Sequence, residues 1–130
     1  MILVPHYVGA SAIQGVGLFC AQALQPGQVV YRYDYRFVQV ISQVEIDALP
    51  PPMRESVLKY SYRGRGAQRL SGAYWFCVDD GRYMNHSVTP NCVWSDAADA
   101  YLAAAELPAD TELTCDYRDF CEPGDLDFEP

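Results

Sequence analysis

Apolar residues along this chain fall in short runs broken by turn signals, a pattern of many brief strands with little room for long helices. Ile2–Val8 reads as a strand, and Leu18–Leu24 as another that ends at Gln25-Pro26-Gly27, where proline and then glycine suit a type II turn. Residues 28–41 are rich in β-branched and aromatic side chains and long enough for two strands broken near Asp34. Ser42-Gln43-Val44-Glu45 is a capping box for a short helix that Pro50 stops. The prolines at 50–52 then open a second helix, Met53 to about Tyr60, with Met53, Val57 and Tyr60 on one face. Arg63-Gly64-Arg65-Gly66 reads as a solvated connector, Tyr74–Val78 as a strand, and Asp79-Asp80-Gly81 as a turn. Cys92–Trp94 and Tyr101–Glu106 suit a strand pair, and Pro108-Ala109-Asp110 turns the chain into a last strand, Glu112–Tyr117. The expected class is mainly β, an α+β arrangement with few helices.

At 130 residues the chain suits one domain that buries roughly two-thirds of its unfolded surface, and with 50% apolar residues it should fold. Met1-Ile2-Leu3-Val4 lacks the basic start of a signal peptide, and no apolar run approaches a membrane span. The five cysteines form no CxxC pair and are odd in number. Buried thiols are therefore expected and a reducing cytoplasm fits best, with a nuclear setting as the alternative in a eukaryote, and no zinc cluster or disulfide framework is expected. The net charge of −8 is uneven: residues 1–65 carry six basic and four acidic groups, residues 66–130 three and thirteen. An acidic second half argues against direct nucleic-acid binding and suits a cationic partner, although a solvated acidic face needs no partner at all.

The densest polar chemistry is Arg82-Tyr83-Met84-Asn85-His86-Ser87-Val88-Thr89-Pro90-Asn91. Short polar side chains here compete for backbone hydrogen bonds, so the segment is expected to be a loop, partly buried by Tyr83, Met84 and Val88. On local chemistry alone it could equally be Asx- and ST-turns closing a link between strands. Upstream lies Gly15-Val16-Gly17-Leu18-Phe19, and downstream Glu112-Leu113-Thr114-Cys115-Asp116-Tyr117.

In order and spacing these three segments resemble the signatures of SET-domain lysine methyltransferases, over about Gln14 to Phe120. The resemblance implies a β-clip-like fold of several short sheets in which the last two motifs interlock as a C-terminal pseudoknot. It implies a SET domain over 1–121 with a helical insert at 42–66, and an acidic tail at 122–130. That tail, from Cys121 on, is expected to be poorly ordered unless something holds it. The activity implied is methyl transfer from S-adenosyl-L-methionine to a lysine amine of a protein or peptide. Such chemistry needs a neutral amine, an aligned methyl group and a dry channel, which aromatic walls provide.

By the same resemblance Tyr117 is the catalytic residue beside the transferred methyl. Gln14, Gly15, Val16 and Gly17 approach the methionine end of the cofactor, Asn85 holds its amino group, the His86 main chain meets the adenine, and Arg82 lies on the cofactor side. Tyr33, Trp94 and Tyr117 line the substrate channel. Two departures stand out: the usual Y-x-G appears as Tyr33-Asp34-Tyr35, and Trp94 replaces the phenylalanine or tyrosine that tunes how many methyls are added. They favour a second reading, a SET-fold binding module for cofactor or lysine peptide with little catalysis. No metal is implied, Phe120 or Phe128 offers an aromatic lid, and some minimal members pair as homodimers to complete their sites.

Overall fold

The structure, a computed structural model, describes residues 1–122, 124 and 125. The strands, in chain order, are β1 (His6–Ala10), β2 (Val16–Cys20), β3 (Val29–Arg32), β4 (Val38–Ile41), β5 (Ser61–Tyr62), β6 (Tyr74–Cys77), β7 (Asn85–His86), β8 (Cys92–Ser95), β9 (Ala100–Ala103) and β10 (Glu112–Cys115). The helices are α1 (Gln43–Asp47), α2 (Pro51–Lys59) and α3 (Ala67–Leu70), with 3-10 turns at Tyr35–Phe37, Asp80–Tyr83 and Tyr117–Asp119. This is the strand-rich, helix-poor class that the hydrophobic pattern implies.

Two compact units divide the chain: Met1–Asp34 with Asp79–Tyr117, and Tyr35–Val78 with the described part of Arg118–Pro130. The first holds two sheets. In one, β1-β2-β10-β7, the outer pairs differ in sense: β1 and β10 run antiparallel to β2, whereas β7 runs parallel to β10. In the other, β3-β9-β8, all neighbours are antiparallel. Leu18, Cys20, Leu24, Val30, Cys92 and Leu113 are fully buried here, so one side of each short strand supplies the core.

In the second unit β4-β6-β5 form an antiparallel sheet. Ser42 caps α1 by accepting from the Glu45 amide at 3.2 Å, as the capping box requires. The other end of α1 is closed by Arg54 of α2, whose Nη2 donates to the carbonyls of Asp47 and Leu49. A cation on the last carbonyls of a helix is favourable there. Ile46 and Val57 are buried, but Met53 on the same helical face as Val57 is 55% exposed, so that face is only partly covered.

Several boundaries differ from the sequence reading. The first strand begins at His6, while Ile2 makes only an isolated bridge to Tyr31. β2 begins inside the G-x-G, at Val16, because glycine at 17 still pairs in the ladder, opposite Gly9. The polar loop contains the two-residue strand β7: its side chains bond elsewhere, which leaves the backbone of Asn85 and His86 able to join β10. The last strand stops at Cys115, and Tyr117 starts a 3-10 turn. Helix α3 follows the Arg63–Gly66 connector, where no helix was expected. Cys121 is buried, and the Arg69 guanidinium pairs with Asp125 at 2.5 Å and Glu122 at 3.3 Å. The Phe120 ring lies 5.2 Å from that of Tyr62. Pro123 and residues 126–130, with Phe128, lie outside the described residues.

Tyr33-Asp34-Tyr35 needs no glycine. Among the described residues the non-glycine positions with positive φ are Asp99 and Asp110, so this stretch runs from β3 into its 3-10 turn with ordinary torsions.

Candidate functional site

The loop from Ser11 to Gly15 joins β1 to β2, closed by a Ser11 amide to Gly15 carbonyl bond of 3.0 Å. Gly15 sits at φ +53°, where a side chain would strain the backbone. The Ser11 hydroxyl accepts from the amides of Ile13 and Gln14, so the loop is folded around its own serine. Gln14, Gly15 and Val16 are exposed along its rim.

Strand β7 brings Asn85 against this loop. Asn85 Nδ2 lies 3.1 Å from Ser11 Oγ, 3.2 Å from the Gln14 carbonyl, 3.1 Å from the Val16 carbonyl and 3.0 Å from Glu112 Oε2. Four acceptors around one atom fix which end of the amide is nitrogen. The other end, Oδ1, accepts no hydrogen bond among the described residues. A half-buried amide oxygen left as an open acceptor beside exposed loop backbone suits a donor such as an ammonium group.

His86 follows on β7. Its Nδ1 accepts from the Tyr117 amide at 3.0 Å, and its ring centroid lies 5.2 Å from that of Tyr117. The Asp116 carboxylate is 3.9 Å from the same nitrogen. Tyr117 is half-buried, and its hydroxyl donates to the Met84 carbonyl at 2.7 Å.

Asn91 ties the two motifs together. Its Nδ2 donates to the Glu112 carbonyl at 2.8 Å, its Oδ1 accepts from the Thr114 amide at 2.9 Å, and its own amide donates to Thr114 Oγ1. The Ser87 amide also donates to the Cys115 carbonyl. The segments around 85–91 and 112–117 thus satisfy each other's backbone, which explains how so polar a stretch is kept partly out of water.

The structure therefore gathers Gln14, Gly15, Val16 and Gly17 with Asn85, and His86 with Tyr117. The remaining predicted residues have other surroundings. Trp94 sits on β8, donating from Nε1 to Asp96 at 2.9 Å and meeting the Tyr101 ring edge-on at 5.1 Å. Tyr33 follows β3 and is 38% exposed. The Arg82 guanidinium lies 5.2 Å from the Tyr83 ring. Three participants lack any separate mention in the sequence reading: Ser11, Glu112 and Asn91. For Glu112 the signal was its place at the head of a motif; Ser11 had none, since its role depends on folding back across 74 residues to Asn85.

The five cysteines are free thiols, and all but Cys77 are buried. Burial pushes the Cys92 and Cys121 thiols up to about 12, so neither is a nucleophile near neutral pH. Among the described residues no cluster of three metal-binding side chains is found, and no helix is long and apolar enough to cross a membrane.

Comparison with known proteins bears on this arrangement. Residues 15–118 match the family model of the SET domain. The chain is 29% identical over 122 residues to human histone-lysine N-methyltransferase 2D, and equally to the mouse protein. That match covers 86% of this chain and 2% of the relative, so the chain spans a small fraction of its length. Among solved structures, a candidate histone methyltransferase of Plasmodium falciparum superimposes with a TM-score of 0.55 at 17% identity, covering 89% of this chain and 95% of the other. The Neurospora SET domain protein DIM-5, a histone lysine methyltransferase, gives 0.52 at 25% identity over 89% of this chain and 53% of its own.

Proposed function

The chain belongs to the SET domain family, and on that premise we propose that it is a methyltransferase that uses S-adenosylmethionine to methylate a lysine amine in a protein or peptide. The observation that carries the reading is the pairing of β7 with β10. It sets Asn85, whose amide oxygen is open among the described residues, on the strand that pairs with β10, and Tyr117, whose hydroxyl donates to the Met84 carbonyl, two residues beyond the end of β10. When bound, the cofactor supplies an electrophilic methyl group on a positively charged sulfur.

The residues present fit that group. Gly15 and the exposed Gln14–Val16 backbone allow close approach without side-chain obstruction, and the open Asn85 oxygen suits its amino group. Arg82 stays on the cofactor side of this reading. The His86 ring has a structural task, since its Nδ1 holds the amide of Tyr117 and so sets the start of the turn that carries the phenol. The Tyr117 oxygen accepts from an amine N–H and from polarised C–H groups, orienting both. Orientation alone is worth orders of magnitude in rate. Tyr33 and Trp94 are assigned to the channel that strips water from the lysine and lowers its pKa.

The test uses labelled S-adenosylmethionine with a cell lysate and with lysine-bearing peptides. Wild type is expected to label protein lysines, and Tyr117→Phe to lose about 100-fold of the rate while still binding cofactor. Cofactor binding with no transfer by wild type would replace the enzyme with a binding module. Absence of both would remove the reading.

A further inference from the structure

We infer that the Glu112 carboxylate, braced by Ser11 and Asn85 above Gly17, forms with the Asn85 amide oxygen a subsite for a ligand's ammonium group. The inference rests on the cofactor reading above and adds to it a charged residue and a serine.

Glu112 faces Phe19 in the β10–β2 ladder, so its diagonal neighbour two residues along β2 is Gly17. A Cβ at position 17 would stand 2.6 Å from Glu112 Oε2 and 2.7 Å from its carboxyl carbon. The missing side chain is therefore what lets the carboxylate lie across β2 toward the Ser11–Gly15 loop. There it accepts from the Ser11 hydroxyl, 2.8 Å from Oε1 and 2.9 Å from Oε2, and from Asn85 Nδ2.

Those donors are both neutral. Among the described residues no lysine, arginine or histidine pairs with Glu112, although it is half-buried. A carboxylate withdrawn from water without a cation leaves its charge uncompensated, and partial desolvation strengthens its pull on any cation that arrives. Next to it is the open Oδ1 of Asn85, on the same amide whose nitrogen the carboxylate holds. An ammonium group brings three donors and one positive charge, which matches one open amide oxygen, nearby loop carbonyls and one uncompensated carboxylate. Ser11 and Glu112 also lock the amide's orientation, so that an oxygen rather than a nitrogen is offered.

A simple brace would look similar, so the test separates charge recognition from loop support. Two probes are compared by calorimetry: S-adenosylhomocysteine, which carries the amino-acid ammonium, and 5′-methylthioadenosine, which lacks it. For Glu112→Gln, which keeps size and an acceptor but removes the charge, S-adenosylhomocysteine should bind about tenfold more weakly. Binding of 5′-methylthioadenosine should hold within about twofold, the spread that loop relaxation alone would cause. Ser11→Ala should weaken the first probe by a smaller factor and again spare the second. Equal loss of both probes would make Glu112 a brace, and no loss of either would make it irrelevant; each overturns the inference. Should Glu112→Gln not fold, Ser11→Ala and Glu112→Asp are judged by the same difference between probes. Failure of wild type to bind S-adenosylhomocysteine would instead overturn the cofactor reading, and the inference with it.

Discussion

At the scale of single residues, the site depends on which atoms are already committed. Asn85 turns its nitrogen toward four protein oxygens and keeps its oxygen open among the described residues; Tyr117 donates its hydroxyl proton to the Met84 carbonyl. Gly17 is as important as either, because a side chain there would take the space that the Glu112 carboxylate occupies. Gly17→Ala should force the Glu112 carboxylate off Ser11 and Asn85, at a cost of about 1–2 kcal/mol in urea unfolding from those lost hydrogen bonds. The same variant should lose affinity for S-adenosylhomocysteine; an unchanged unfolding midpoint would show that the carboxylate has room to spare. Asn85, His86, Gly15, Gly17 and Tyr117 were legible in the sequence because the motifs are contiguous. Ser11 was not, because only the chain's return through β7 brings its hydroxyl to an amide 74 residues away.

At the scale of elements, short strands were well marked by β-branched and aromatic runs: β3, β4, β6 and β10 lie in the segments expected, β8 runs one residue past its segment and β9 starts one residue before its own. The expected loop at 82–91 holds the strand β7, since local propensity cannot anticipate a parallel partner almost thirty residues on. The chain after Tyr117 is the other surprise. Arg69 holds Asp125 and Glu122, the Arg65 guanidinium donates to the Arg118 carbonyl at 2.8 Å, and Cys121 is buried. Hydrogen bonding from Arg69 holds the Asp125 carboxyl below the usual carboxylate range. A depressed folded-state pKa means that this stabilisation is full above the ordinary carboxylate pKa. It is lost as pH falls through the depressed value. The stability difference between wild type and Asp125→Asn should therefore shrink on acidification. At mildly alkaline pH, Cys121 in Asp125→Asn should react severalfold faster with a maleimide than in wild type, because its thiol is exposed and ionised only when this segment detaches. Equal rates would mean that the arginine clamp does not hold the segment.

At the scale of the whole molecule, charge is the property that sequence alone reports well. Of seventeen acidic residues, thirteen fall in residues 66–130, the stretch that also carries both C-terminal motifs. A lysine-bearing peptide should therefore bind with a dissociation constant that rises as potassium chloride is taken past physiological strength. Salt-independent binding would assign the acidic surface to solubility alone. By itself the sequence determined the class of fold, the order of the motifs and the identity of most groups assigned to the proposed site, because each depends on residues close together in the chain. The tertiary structure decided what those groups have left to offer. Which end of Asn85 is open, why position 17 must lack a side chain, and why Glu112 meets only neutral donors among the described residues all depend on hydrogen bonds and contacts between distant segments. No local pattern encodes those, since they exist only once the strands have paired.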